Sequence, residues 1–287
     1  MKRVNLFAIL AISFSLTSIV ACTTEDFTGT DATLSATASD EAQASNVNDQ
    51  VISVADDYAN VVDANGFTQP SAVKSAMGLS AVDSVVVTID KPGLTVFPKK
   101  MSIDFGTTGF TDKRGNVLKG KIYLIISNRM SIKGSYRKVL YSNFFINDNA
   151  VKGTKTVTYN GDPLSKPNWS IVASDTIVRT DGTTVIWNSD RTRTRTSNNG
   201  TPLLYWDDTY SITGSSNGVN AKGVAYTMQI DETKPLTTVG GFKYFVSGAV
   251  LITSDKRTAL LDYGDGTKDA KATVTINGVT KTINLRK

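Results

Sequence analysis

The sequence predicts an all-β fold: one large curved antiparallel meander of roughly a dozen strands, preceded by a flexible tether and one amphipathic helix. Three observations predict it. Beyond Ala81, short runs rich in Val, Ile, Thr and Tyr alternate with clusters of Gly, Asn and Asp, the pattern of strands and turns. Asn-Gly pairs at 199–200, 217–218 and 277–278 supply the positive φ angles that two-residue hairpins require. Only one stretch, 46–62, carries apolar residues at helical spacing.

Residues 1–21 have the form of a lipoprotein signal peptide, with Lys2 and Arg3 ahead of the apolar stretch from Ala8 to Val20. That stretch is short for a spanning helix, which needs roughly 20 apolar residues. The segment Ile19-Val20-Ala21-Cys22 resembles the lipobox of bacterial lipoproteins, which implies cleavage before Cys22 and lipidation of that cysteine. Several acyl chains anchor a protein stably, whereas one binds only marginally. Glu25 and Asp26 resemble the acidic signals that follow the lipidated cysteine in surface-exported lipoproteins of the Bacteroidetes type. The expected location is therefore the outer membrane, on its periplasmic face or at the cell surface. Cys22 is the only cysteine, which excludes an internal disulfide framework and a zinc site built on cysteine pairs.

Residues 22–45 are rich in Thr, Ser, Ala, Asp and Glu and hold almost no large apolar residue, so a flexible tether is expected there. The segment 46–80 begins with Val47, Val51, Val54, Tyr58, Val61 and Val62 on one helical face and ends in the breaker region ANGFTQP. From 81 to 287 the chain reads as one antiparallel β domain, with strands such as SVVVTI, GKIYLIIS, YRKVLYSNFFI, VAYTMQI and YFVSGAVLI. The turn at Asn277-Gly278 sets Ile276 opposite Val279 and Val274 opposite Lys281. A turn at Asn199-Gly200 would set Arg195 opposite Leu204, Arg193 opposite Trp206 and Arg191 opposite Asp208. A turn at Asn217-Gly218 would bring Tyr226 opposite Thr209, with Tyr205, Tyr226 and Met228 on the core face and the arginines on the other.

Charge divides the chain. Residues 22–90 hold eleven acidic side chains and one basic one, Lys74, whereas 91–287 hold 28 basic and 15 acidic ones. A basic second half suggests a polyanionic partner. An exported chain meets acidic glycans and lipopolysaccharide before nucleic acid. With no histidine and no cysteine left after lipidation, triads and thiol chemistry are absent. Asp207 and Asp208 are adjacent in an expected strand and so point to opposite faces, and Glu232 is the only glutamate past the tether. No enzyme is expected. In DYGDGTKD, Asp262, Asp265 and Asp269 are expected to form turns by capping local N–H groups, and neither metal nor cofactor is implied.

The phrases SIDFGTTGFTDKRGNVLKGKI, VKGTKTVTY, SDRTRTRT, YSITG and LLDYGDGTKDAKATVTINGVTKTINLR resemble a family of uncharacterised lipoproteins of the Bacteroidetes type, over roughly residues 95–287. The resemblance implies an all-β exported domain and brings no established activity. Members of that family carry cysteines near the first phrase and near DYGDG, where this chain has Phe110, Leu261 and Lys268. No disulfide carries over.

The candidate binding site is the row Arg191, Arg193 and Arg195 in DRTRTRT, together with Trp206 and Tyr210. Guanidinium forks match carboxylate, sulfate and phosphate, and the rings offer flat apolar surfaces to a sugar. On a solvated face, replacing all three arginines by threonine would cost only about 1 to 3 kcal/mol. The leading function is a lipid-anchored, non-catalytic envelope or surface protein, held to the membrane by its lipid and binding an anionic glycan or lipopolysaccharide. The alternatives are a structural envelope scaffold that contacts other proteins and a polysaccharide hydrolase using aspartates that the sequence does not pair. The sequence leaves the oligomeric state open.

Overall fold

In the computed structural model the described residues are 26–68, 85–161, 167–200 and 205–285. The signal stretch, Cys22, Leu203 and Leu204 lie outside them. One helix, α1 (Gly29–Ala64), precedes the strands β1 (Val86–Ile89), β2 (Lys99–Asp104), β3 (Phe110–Thr111), β4 (Val117–Ile126) and β5 (Tyr136–Ile146). These are followed by β6 (Asn149–Tyr159), β7 (Asn168–Val178), β8 (Thr184–Ser197), β9 (Thr209–Val219) and β10 (Ala225–Ile230). The chain closes with β11 (Leu236–Thr238), β12 (Ser247–Ser254), β13 (Arg257–Asp265), β14 (Lys271–Ile276) and β15 (Val279–Asn284). All belong to one sheet, in which strands follow one another in chain order from β1 to β15, with β3 and β11 as short side branches. The expected antiparallel meander is what the chain forms. Among the described residues no helix is long and apolar enough to cross a membrane.

The centre of the molecule is α1. It runs for 36 residues, about 54 Å at 1.5 Å per residue. Ten consecutive residues, Gln50 to Ala59, are buried, which covers every face of the helix, so the sheet must curl around it. The valines and Tyr58 of the expected apolar face do lie in the main core. The expected tether at 22–45 is corrected, because from Gly29 onward that segment is the first half of α1. Its small side chains, such as Ala38, Ala42 and Ala44, let the strands approach closely, and the scarcity of large apolar residues reflects that proximity.

Register follows expectation in the last hairpin, where Ile276 pairs with Val279 and Val274 with Lys281. It departs at β8 and β9. Asn199 and Gly200 do take the positive φ values of a turn. The chain then makes a longer connection that includes a 3-10 turn at Tyr205–Asp207, and β9 starts only at Thr209. Arg195 therefore pairs with Tyr210, Arg193 with Ile212 and Arg191 with Gly214. Asn217-Gly218 forms no turn but lies inside β9. Gly218 sits there because it pairs with Trp187, and a Cβ would stand 2.1 Å from the Ile186 carbonyl oxygen. Consequently Met228 pairs with Ser216, which pairs with Ser189, so Met228 lies on the same face as the arginines. The expected division into opposite faces is overturned, because Tyr226 and Met228 are buried on the same side of the sheet as Arg191 and Arg193.

Candidate functional site

Alternation along β8 sends Val185, Trp187, Ser189, Arg191 and Arg193 to the buried side, with Thr192 and Thr194 on the other. The inward arginines meet a stripe of α1 formed by Glu41, Ser45, Asp49, Ser53 and Asp56, at steps of four, four, four and three. Residues so spaced share one helical face. Arg191 Nη2 donates to Ser45 Oγ at 2.7 Å and to Glu41 Oε1 at 3.3 Å, with its guanidinium 4.7 Å from the centre of the Trp187 ring. Trp187 Nε1 donates to the other Glu41 oxygen at 2.9 Å. Arg193 donates to Ser53 Oγ at 2.9 Å, lies 3.5 Å from Asp56 and 3.7 Å from Asp49, and rests 3.6 Å above the Tyr210 ring. Arg195 pairs with Asp208 at 3.3 Å, and Asp208 also accepts from the Tyr210 hydroxyl at 3.0 Å.

The pattern extends along the whole helix. α1 carries seven acidic residues and no basic one. Each acid has an arginine of the sheet or its turns: Asp31 has Arg257, Asp40 has Arg179, Glu41 has Arg191 and Asp49 has Arg193. Asp56 has both Arg137 and Arg193, Asp57 has Arg114 at 2.5 Å, and Asp63 has Arg129 at 3.0 Å. With Arg195 on Asp208, every described arginine is paired with a carboxylate. Arginine suits this interior because its planar fork keeps its charge and spreads several donors over neighbouring acceptors. One lysine joins the network: buried Lys155 donates to Asp175 and to Asn48 of α1. Burial works against charge on both members, lowering the Lys155 ammonium and raising the Asp175 carboxyl. Burial also pushes the Asp208 carboxyl up to about 6, against the opposing pull of Arg195.

These positions correct the sequence-based site. Arg191, Arg193 and Tyr210 are 5%, 3% and 2% exposed, so no polymer on the outer surface can reach them. Trp206 sits in the 3-10 turn, half-buried beneath the Lys113 ammonium at 5.1 Å, and not in a strand beside Arg193. One part of the signal for the true partners, the acids, was present in the sequence. The acids of α1 fall at helical spacing without a single base among them, but extending the helix back to Gly29 required reading an Ala- and Ser-rich stretch as buried.

A groove of about 640 Å³ opens beside Ser39 to Gln43, bounded by Asn147, Asn149, Arg179, Thr282 and Asn284. Several of its polar groups are already engaged. Gln43 donates to Asn149 at 3.3 Å and accepts from Arg179, which also holds Asp40, while Asn147 donates to Asn116 at 3.0 Å. No aromatic ring lines it among the described residues. In the DYGDGTKD turn, Asp262 accepts from Gly264 N, Asp265 from Thr267 N and Asp269 from Lys271 N, which is the capping role expected of them. Among the described residues no group of three or more acidic, His or Cys side chains is placed to hold a metal ion. Comparison of the chain with family models, with curated proteins and with solved structures finds no match.

Proposed function

We propose that this is a lipid-anchored, non-catalytic envelope protein with a structural role, acting through contact between the outer face of its sheet and other envelope proteins. The observation that carries the reading is the internal use of charge. The arginines that pointed to an anionic glycan are occupied by the acids of α1 and by Asp208. What faces outward on the central strands is rich in hydroxyl groups and sparse in charge, with Lys152 and Asp190 exposed among them. Thr158, Ser170, Thr192 and Thr213 form one row across β6 to β9, and Thr154, Ser174, Asn188, Asn217 and Thr227 form another. Such a face, on a sheet stiffened by a buried helix, suits extended contact better than capture of a small molecule. The lipid at Cys22 and the outer-membrane location belong to this proposal, supported by the IVAC segment and the basic, apolar leader ahead of it.

A photo-crosslinking residue placed at Thr192, Thr213 or Ser215 tests it in cells. The expected outcome is one recurrent protein adduct from these neighbouring positions, with the adduct at Ser215 lost when Thr192 and Thr213 are both replaced by Arg, together with no retention of the purified protein on sulfated polysaccharide. Adducts to polysaccharide alone, or turnover of a polysaccharide by the purified protein, would overturn the reading.

A further inference from the structure

The first described residue, Asp26, lies four residues beyond Cys22. Four residues of fully extended chain span at most about 14 Å. From Asp26 on, the chain is fastened to one end of the molecule. Asp26 pairs with Lys281 of β15, and the Lys281 ammonium stands 5.1 Å over the ring of Phe27, which packs against the core. Asp31, in the first turn of α1, pairs with Arg257 and accepts from Asn277 at 3.3 Å. The helix therefore starts between the β12–β13 turn at Asp255 and Lys256 and the β14–β15 turn at Asn277 and Gly278. Its last turn is at the other end, where Asp63 pairs with Arg129 in the β4–β5 connection.

We propose that the end formed by the β12–β13 and β14–β15 turns lies against the phospholipid headgroups of the membrane that holds the Cys22 lipid, with α1 leading away from that surface. The inference rests on the lipidation reading above and adds to it which face meets the bilayer. A tether reaching to residue 45 would have let the domain tumble freely. A connector of four residues does not. Among the described residues the charges at this end balance, with Lys256, Arg257 and Lys281 against Asp26, Asp31 and Asp255. The contact is thus imposed by the length of the connector and not by attraction to anionic lipid, so it should be insensitive to salt.

The full-length lipoprotein, purified from cells that process it and placed in phosphatidylcholine nanodiscs, provides the test. It is compared with a variant carrying a Gly-Ser insertion of about 20 residues after Glu25, which adds roughly 25 Å of average reach. The mass of the N-terminal peptide reports the lipid in both proteins. Acylation of exposed lysines by a water-soluble reagent reports position, with Lys256 near the proposed contact and Lys133, in the β4–β5 connection, at the far end. The expected result is Lys256 reacting several-fold more slowly in the parent than in the insertion variant, at low and high salt alike, with Lys133 unchanged. If the lipid is present and Lys256 reacts equally in both, or Lys133 is the residue protected, the placement is wrong and the anchor stands. If the peptide mass carries no lipid, the anchor reading falls and this inference falls with it.

Discussion

Asp56 stands between two arginines from different strands, Arg137 of β5 and Arg193 of β8, and is itself buried. Removing one partner of a buried pair leaves an uncompensated charge, at a cost of about 3 to 5 kcal/mol, whereas replacing both partners by apolar groups is often close to neutral. Asp56→Ala should therefore lower stability by about 3 to 5 kcal/mol in denaturant unfolding. By the same argument, Glu41→Leu combined with Arg191→Leu should cost less than either change alone. Asp208 allows a test by pH. Burial raises its carboxyl to about 6, above the ordinary value of 3.8, so between those values the folded protein binds more protons than the unfolded chain. Its stabilising contribution is full below that interval and is lost as pH rises through about 6, amounting to about 3 kcal/mol. Unfolding curves collected from about pH 4 to pH 7 should show this loss in the parent and not in Asp208→Asn.

At the scale of elements, helix and sheet complete one another. A helix with seven acids and many Ala, Ser and Asn residues has too little apolar surface to fold by itself. Removing it from the sheet would deprive Arg191 and Arg193 of the carboxylates that balance them. Splitting the chain into a helical segment and an autonomous β domain from residue 81 therefore misplaces the folding unit. A chain beginning at Val85 is expected to show no cooperative thermal transition and to be digested quickly by protease. A sharp melt of that fragment would mean that the sheet carries its own core. The small residues of α1 fit the same picture. Ala38, Ala55 and Ala59 are fully buried, and side chains of that size let a curled sheet close on the helix from several directions.

For the molecule as a whole, the acids of α1 and the arginines of the sheet are two halves of one charge network, while most lysines of the second part lie at the surface. Replacing Arg191, Arg193 and Arg195 together by threonine, a change the sequence-based reading put at about 1 to 3 kcal/mol, should unfold the protein. The replacement deprives Glu41, Asp49 and Asp208 of their arginines at once. At about 3 to 5 kcal/mol for each of the two buried carboxylates left alone, Glu41 and Asp208, the loss is of the order of the whole stability of a typical domain, about 5 to 15 kcal/mol. Circular dichroism on the purified variant checks this: a folded spectrum with a melting temperature near that of the parent would contradict the burial of the row.

Most strand positions were legible in the sequence because they are local, and so was one of the three expected Asn-Gly hairpins, whereas the pair at 217–218 fell inside β9 and the one at 199–200 opened a longer connection. β5 spans the residues its alternation marks, Tyr136–Ile146, and the Asn277-Gly278 turn pairs the residues that its geometry requires. The division of charge and the apolar stripe of α1 beyond Val47 were legible for the same reason. Tertiary structure alone decided which side of β8 is buried, how far back α1 begins and what the arginines meet. Glu41 and Arg191 are 150 residues apart in the chain. Whether a polar helix can be buried depends on whether distant strands bring it counter-charges, and alternation along a strand separates two faces without saying which of them has a helix lying against it.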